Sequence, residues 1–461
     1  MTTVSLVSPV DGSVYLTRET LTFSAAEGAV ARARAAQRAW SATPLAQRVA
    51  AVRAGVDALA AMNDAVVPEL AWQMGRPVRY GGELGGTRER TDYMTGIAAD
   101  ALAPHVVEQS AAMERRIERV PHGVVLVIAP WNYPFMTAIN TIIPALVAGN
   151  AVILKHASQT LQVGERLQAA FDAGGLPPEV FCNLVLDHDT TARLIAAGHF
   201  GFVNFTGSVA GGQAIERAAA GTFTATGLEL GGKDPGYVME DADLDWAADV
   251  LMDGAMYNAG QCCCGIERIY VHRRLYDGFV DRAVAFAEAL TLGNPLDPET
   301  TLGPMAAPRF AKLVRDHVAE ATAQGARQLV DPATFPADDG AAYLAPTVLV
   351  DVTHDMRVMR EESFGPVVGI MPVDDDDQAL ALMNDSDFGL TASLWTGDAA
   401  RAAAIGRRIE TGTVFLNRAD YLDPAVCWTG CKATGRGAAL SHLGYHAVTR
   451  PRSFHFRKQK G

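Results

Sequence analysis

The chain changes character near Val120. From there short β-branched runs alternate with stretches of helical periodicity, and few folds accommodate that pattern. Val124-Val125-Leu126-Val127-Ile128 reads as a buried parallel-type strand ending at Ala129-Pro130. A helix is expected from Thr137 to Leu146, then a second strand over Ala151–Leu154 ending at Lys155. Another helix is expected from about Leu161 to Ala173, a third strand over Asn183–Val185, and a fourth over Phe202–Phe205 opening into Thr206-Gly207-Ser208. Repeated strand–helix–strand units predict an α/β fold with a doubly wound sheet. Such sheets bind ligands at the carboxyl ends of their strands. Pro130-Trp131-Asn132, Lys155 and Gly207-Ser208 all fall at such ends.

The flanking regions fit around this sheet. Between Phe23 and Met74 apolar residues recur at helical spacing (Val30, Ala33, Trp40, then Val49, Val52, Val56, Leu59), so at least two amphipathic helices are expected, with a solvated arginine face. After Lys233 the pattern restarts, with helices over Leu244–Tyr257 and Tyr276–Leu290, a strand over Ile269–Val271, and alternation to about Asn417. This half reads as a second α/β domain, since 461 residues exceed one simple core. Asp374–Asp377 reads as a solvated turn or helix start.

A net charge of -13 without a basic tract argues against a nucleic-acid partner. It also means that an anionic cofactor needs local backbone and lysine donors. No secretory signal or membrane-length apolar run is evident, and six cysteines, three of them adjacent, are not a disulfide framework. A cytoplasmic protein without a membrane partner is expected. Zinc is not expected, because adjacent cysteines should point apart and no C-x-x-C pair occurs.

Cys262-Cys263-Cys264 supplies a thiol that can attack a carbonyl as thiolate. Glu229 lies 34 positions before Cys263, in Leu-Glu-Leu-Gly-Gly-Lys. Apolar flanks raise a carboxyl pKa and suit a general base. Asn132, between two prolines, can present its amide to an oxyanion. Gly207-Ser208-Val209-Ala210-Gly211-Gly212 opens a helix whose amides can meet phosphate, although the motif alone is equally a tight turn. In Glu361-Glu362-Ser363-Phe364-Gly365-Pro366, the Gly-Pro pair fixes the turn behind a carboxylate.

Together with Gly430-x-Lys432-x-x-Gly435, these segments occur in the order found in one family, and the 34-residue step from Glu229 to Cys263 is that family's usual spacing. The chain resembles the NAD(P)-dependent aldehyde dehydrogenase superfamily over about residues 20 to 457. The resemblance implies a Rossmann-like cofactor domain (1–103 and 122–231), a catalytic domain (232–430) and a small β arm (104–121 and 447–461) that joins subunits into a homodimer or homotetramer. It implies Cys263 as nucleophile, Glu229 as the base that deacylates a thioester, and Asn132 with the Cys263 amide as oxyanion hole. Lys155 would contact the adenosine ribose, Ser208 the pyrophosphate, and Glu362 the nicotinamide ribose. Phe364 would pack near the nicotinamide, with Trp131, Gly207, Gly212 and Leu230 also lining the cofactor site.

Two departures bear on specificity. Many NAD-preferring members carry a glutamate three residues after the lysine. Here that position is Ser158, which does not repel a 2′-phosphate, so NADP+ should be at least tolerated beside NAD+. The family's charged pair after the Gly-x-Lys motif is Ala438-Ala439. Members acting on carboxylate-bearing semialdehydes tend to carry an arginine in the helix after the asparagine motif or beside the nucleophile; Phe135–Asn140 has none, and Arg268, five residues after Cys263, matches a position the family keeps for structure. An uncharged aliphatic or aromatic aldehyde is therefore expected, in a tunnel of Tyr133, Met136 and Tyr257. A semialdehyde dehydrogenase and a non-catalytic relative are the alternatives. Retention of Glu229 argues against a CoA-acylating enzyme, in which a thiol replaces water.

Overall fold

The computed structural model describes residues 2–459. Residues 460 and 461, the end of the expected arm, and Met1 lie outside the described residues. A six-stranded sheet runs in the order Gly435–Arg436, Ala225–Glu229, Phe202–Thr206, Val124–Ile128, Ala151–Lys155, Phe181–Asn183. All pairs are parallel except that of Gly435–Arg436 with Ala225–Glu229. The chain leaves the central strand Val124–Ile128 toward one edge, then returns to build Phe202–Thr206 on its other side. That reversal opens a crevice at the carboxyl ends of these two strands.

The central strand is buried on both faces, and its two-residue period divides it between two cores. Val124, Leu126 and Ile128 join Ala26, Ala29, Val30 and Ala33 of helix Phe23–Ala42. Val125 and Val127 join Phe135, Ile139 and Ile142 of helix Pro134–Val147. The third strand spans Phe181–Asn183, two residues earlier than expected. Its end is set by other partners: the Leu184 amide still reaches the Leu154 carbonyl at 2.8 Å, but the Val185 carbonyl accepts from Leu21 at 3.0 Å and leaves the ladder.

A second sheet has seven strands, in the order Arg327–Gln328, Thr347–Val350, Val367–Val373, Ile266–His272, Asp234–Val238, Thr391–Trp395, Thr413–Leu416. Only the short Arg327–Gln328 strand is antiparallel. Asp375 caps helix Asp376–Asn384, so the acidic run is a helix start. A third, antiparallel sheet joins Thr449–Arg457, Met113–Pro121 and His105–Gln109.

Lys233, between the two large sheets in sequence, is buried and bonded to the buried Glu267 of strand Ile266–His272. Glu267 also accepts the backbone amides of Ser363 (2.8 Å) and Phe364 (2.9 Å), and Lys233 Nζ reaches Ser363 Oγ at 3.2 Å. One carboxylate thus ties the end of the first sheet to the loop before Val367–Val373. Removing one partner of a buried pair strands the other charge. Lys233→Met is expected to cost about 3 kcal/mol of stability in urea denaturation, and a loss below about 1 kcal/mol would contradict that role.

Candidate active site

Two cavities of about 250 Å³ each meet at the mouth of the crevice. The first is lined by Trp131, Asn132, Gly207, Ser208, Leu230, Glu362 and Phe364, and the second by Arg90, Tyr133, Met136, Asn140, Tyr257 and Asp420. Cys263, Glu229, Thr137 and Thr206 line both. A thiol and a carboxylate therefore stand where two compartments join.

The thiol loop is strained and heavily tied. Asn258, Ala259 and Gly260 have φ of 54°, 54° and 67°, three successive residues in the left-handed region. At Gly260 a Cβ would lie 2.2 Å from the Gly365 carbonyl oxygen, so only glycine fits. Asn258 Nδ2 donates to the carbonyls of Asn132 (3.2 Å) and Gln261 (3.3 Å), and Gln261 Nε2 donates to the Asn258 carbonyl at 3.0 Å. Asn132 Nδ2 donates to the Gln261 carbonyl at 3.2 Å, which sets its amide beside the cysteines and leaves one N–H for another acceptor.

Behind this loop Arg76 and Glu83 form a buried ion pair that sequence reading missed, since neither lies in a motif. Arg76 donates to the Asn132 carbonyl at 2.7 Å and stacks 4.9 Å over the Tyr133 ring. Glu83 Oε2 accepts the amides of Phe135 (3.0 Å) and Met136 (2.9 Å), satisfying the first turn of Pro134–Val147.

The three thiols do not point apart as expected. Their sulfurs lie within 4.8 Å of one another. The reason is a β-turn, in which Gly265 N donates to the Cys262 carbonyl at 3.1 Å and folds the run back on itself. Cys262 and Cys264 donate to Asp420 Oδ1 at 2.9 and 3.0 Å. The two neighbouring thiols hold Cys263 below the usual thiol range, while Cys263 beside it pushes Cys262 up to about 12, and Cys262 and then Cys263 raise Cys264. Cys263 is thus the thiol favoured as thiolate.

Glu229 ends its strand with its carboxyl pushed up to about 7 by burial, against the opposing pull of Arg90 and of a hydrogen bond from Thr206. A group poised there can exchange protons near neutrality. Glu362 accepts from Gly232 N at 2.9 Å, and burial followed by repulsion from Glu267 pushes it up to about 8. A Cβ on Gly231 would meet its carboxylate at 2.5 Å, so glycine lets the acid approach.

In the first cavity Trp131 stacks on Phe310 at 4.9 Å and meets the edge of Phe364 at 5.6 Å. Ser208 caps helix Val209–Ala219, accepting from Gly211 N at 3.2 Å. Gly212 abuts Leu230 so closely that a Cβ would sit 2.7 Å away. Lys155 and Ser158 are not in this wall. They stand at the end of the neighbouring strand, Lys155 buried with its pKa lowered by desolvation, Ser158 exposed on the turn Ser158–Thr160. Arg268 is buried and donates to the carbonyls of Lys233, Leu382 and Met383.

Known proteins share this architecture. The model of the aldehyde dehydrogenase family matches residues 1–454. An aldehyde dehydrogenase of Paenarthrobacter nicotinovorans is 36% identical over 447 residues, covering 96% of this chain and 97% of that protein. The NAD(P)+ succinate semialdehyde dehydrogenase Sad of Escherichia coli (strain K12) is 35% identical over 424 residues, covering 91% and 90%. The structure of succinic semialdehyde dehydrogenase from Streptococcus pyogenes in complex with NADP+ superposes with a TM-score of 0.93 at 27% identity, covering 98% of this chain and 100% of that one. A thiol and a carboxylate at the junction of two cavities, on a fold shared over nearly the whole length, have one consistent reading: the chain belongs to the aldehyde dehydrogenase family.

Proposed function

We propose that the protein oxidises an aldehyde to the carboxylic acid with NAD(P)+, using Cys263 as nucleophile. The observation that carries this reading is the position of Cys263 and Glu229 on the shared wall of both cavities. The aldehyde enters along Tyr133, Met136 and Tyr257. Cys263 Sγ attacks its carbonyl carbon, and the Asn132 amide with the Cys263 backbone N–H holds the oxyanion of the thiohemiacetal. NAD(P)+, when bound in the first cavity, supplies the hydride acceptor that turns this adduct into a thioester. Glu229 takes a proton from the water that attacks the thioester, which frees the acid and the thiolate.

The first cavity suits a dinucleotide. It lies at the switch point of the sheet, where Ser208 opens a helix whose amides can meet a pyrophosphate. The Trp131–Phe364 corner and the Glu362 carboxylate suit a nicotinamide riboside, and Lys155 and Ser158 an adenosine ribose. Relatives named for NAD(P)+ or bound to NADP+ support use of both cofactors. The cofactor domain is assigned to 1–103 and 122–231, the catalytic domain to 232–430, and the arm to 104–121 and 447–459. The arm sheet exposes Val106, Val107 and Phe456, which suits pairing with a second copy. No helix among the described residues is long and apolar enough to cross a membrane.

Cys263→Ala should abolish turnover. Cys262→Ala should keep activity but raise the pH at which Cys263 becomes reactive to iodoacetamide, because the thiolate loses a neighbouring thiol. Equal loss in both would sink the assignment of roles. Wild-type turnover should rise with pH through about 7 as Glu229 loses its proton. Glu229→Gln should lack that limb, releasing one burst of reduced cofactor per site and then stalling, and steady turnover in this variant would exclude the deacylation role. Ser158→Glu should impair NADP+ use by roughly tenfold to a hundredfold while sparing NAD+, measured as kcat/KM for each. An unchanged ratio would put cofactor discrimination elsewhere.

A further inference from the structure

The turns after Asn132 carry no arginine, so on sequence alone the tail of the aldehyde meets no cation. The fold supplies one from another helix. Arg90, on Leu84–Ala101, is buried against Pro134–Val147 and reaches the wall of the second cavity. Its Nη1 donates to the Met136 carbonyl at 2.9 Å and to Asn140 Oδ1 at 3.1 Å. Among the described residues its Nε and Nη2 have no acceptor. Arginine can only donate, so Asn140 must turn its oxygen toward it. That leaves Asn140 Nδ2 buried without a partner, on a residue that lines the same cavity. Unmet buried donors are costly unless an acceptor arrives.

The neighbouring acids do not fill this role. Glu83 is paired with Arg76, and Glu89 accepts the Tyr421 hydroxyl at 2.9 Å. Asp420 Oδ1 already accepts the thiols of Cys262 and Cys264, burial pushes its carboxyl well above the usual range, and Glu229 is occupied with water in the proposed reaction.

We propose that Arg90, held by Asn140, forms a carboxylate-binding subsite in the wall of the substrate cavity, so that the preferred aldehyde carries a second, terminal carboxylate. This rests on the reading that Cys263 takes the aldehyde. The free Nε and Nη2 of the guanidinium match the two oxygens of a carboxylate, and Asn140 holds the fork in place by accepting from Nη1. Tyr133, Met136 and Tyr257 line the same cavity and offer apolar surface to a carbon chain. The uncharged expectation rested on the helix after Asn132 and on the residues beside the nucleophile, and here the cation comes from the helix packed against Pro134–Val147.

The test compares short ω-carboxy aldehydes with the matching ω-carboxamides, on wild type, Arg90→Gln and Asn140→Asp. Wild type should favour the acids in kcat/KM by roughly tenfold to a hundredfold, mainly through KM, and both variants should bring the ratio toward parity. A wild type that accepts amides as well as acids, or variants with an unchanged ratio, overturns the subsite while leaving aldehyde oxidation standing. If no aldehyde is turned over, the proposed reaction is wrong, and calorimetry judges the subsite without turnover. Wild type should bind succinate at least about tenfold more tightly than succinamate. Equal binding overturns the subsite even if neither variant folds.

Discussion

Arg76 and Glu83 sit together in the interior, and the geometry of the two-cavity junction hangs on their contact. Arg76 holds the carbonyl of Asn132 and, at 3.3 Å, the side-chain oxygen of Asn258. Glu83 holds the first amides of Pro134–Val147. One pair therefore sets the register between the asparagine turn, the thiol loop and the helix that lines the second cavity. A buried pair of this kind adds little net stability over apolar packing, because desolvation offsets the attraction. What it supplies here is placement: three segments distant in the chain are held to one another by groups that cannot be left unpaired.

The same poor solvation governs the chemistry. Burial pushes Glu229, Glu362 and Asp420 up, each by loss of water around a carboxylate. Cys263 moves the opposite way, because the two neighbouring thiols crowded against it hold it below the usual thiol range. The β-turn that gathers the sulfurs is what makes this possible. A base near neutrality and a thiol favoured as thiolate are thus consequences of packing, reached with ordinary side chains.

The proposed carboxylate subsite illustrates how neighbouring helices share a task. Asn140 lies on Pro134–Val147 and Arg90 on Leu84–Ala101, and each makes sense only with the other beside it. Glu267 is a parallel case, where one carboxylate from the second sheet fixes the amides of the Ser363-Phe364 turn beside the first cavity.

Much of this was legible in the chain itself. Strand Val124–Ile128 and helix Leu161–Ala173 were readable because their periodicity is local, and Asn132, Gly207 and Ser208 were readable because they follow strand ends, where a doubly wound sheet keeps its ligands. The spacing of Glu229 and Cys263 pointed to a family, and with it to an order of motifs. The convergence of three thiols, the Arg76–Glu83 pair, the hold of Glu267 and the arrival of Arg90 in the cavity were not readable. Each joins residues far apart in sequence or depends on a turn that periodicity does not report. Protonation was equally hidden, because desolvation is set by everything packed around a group. Sequence determined which chemical groups stand at which strand ends, and only the tertiary structure decided which of them meet, how dry their meeting place is, and hence which carry charge.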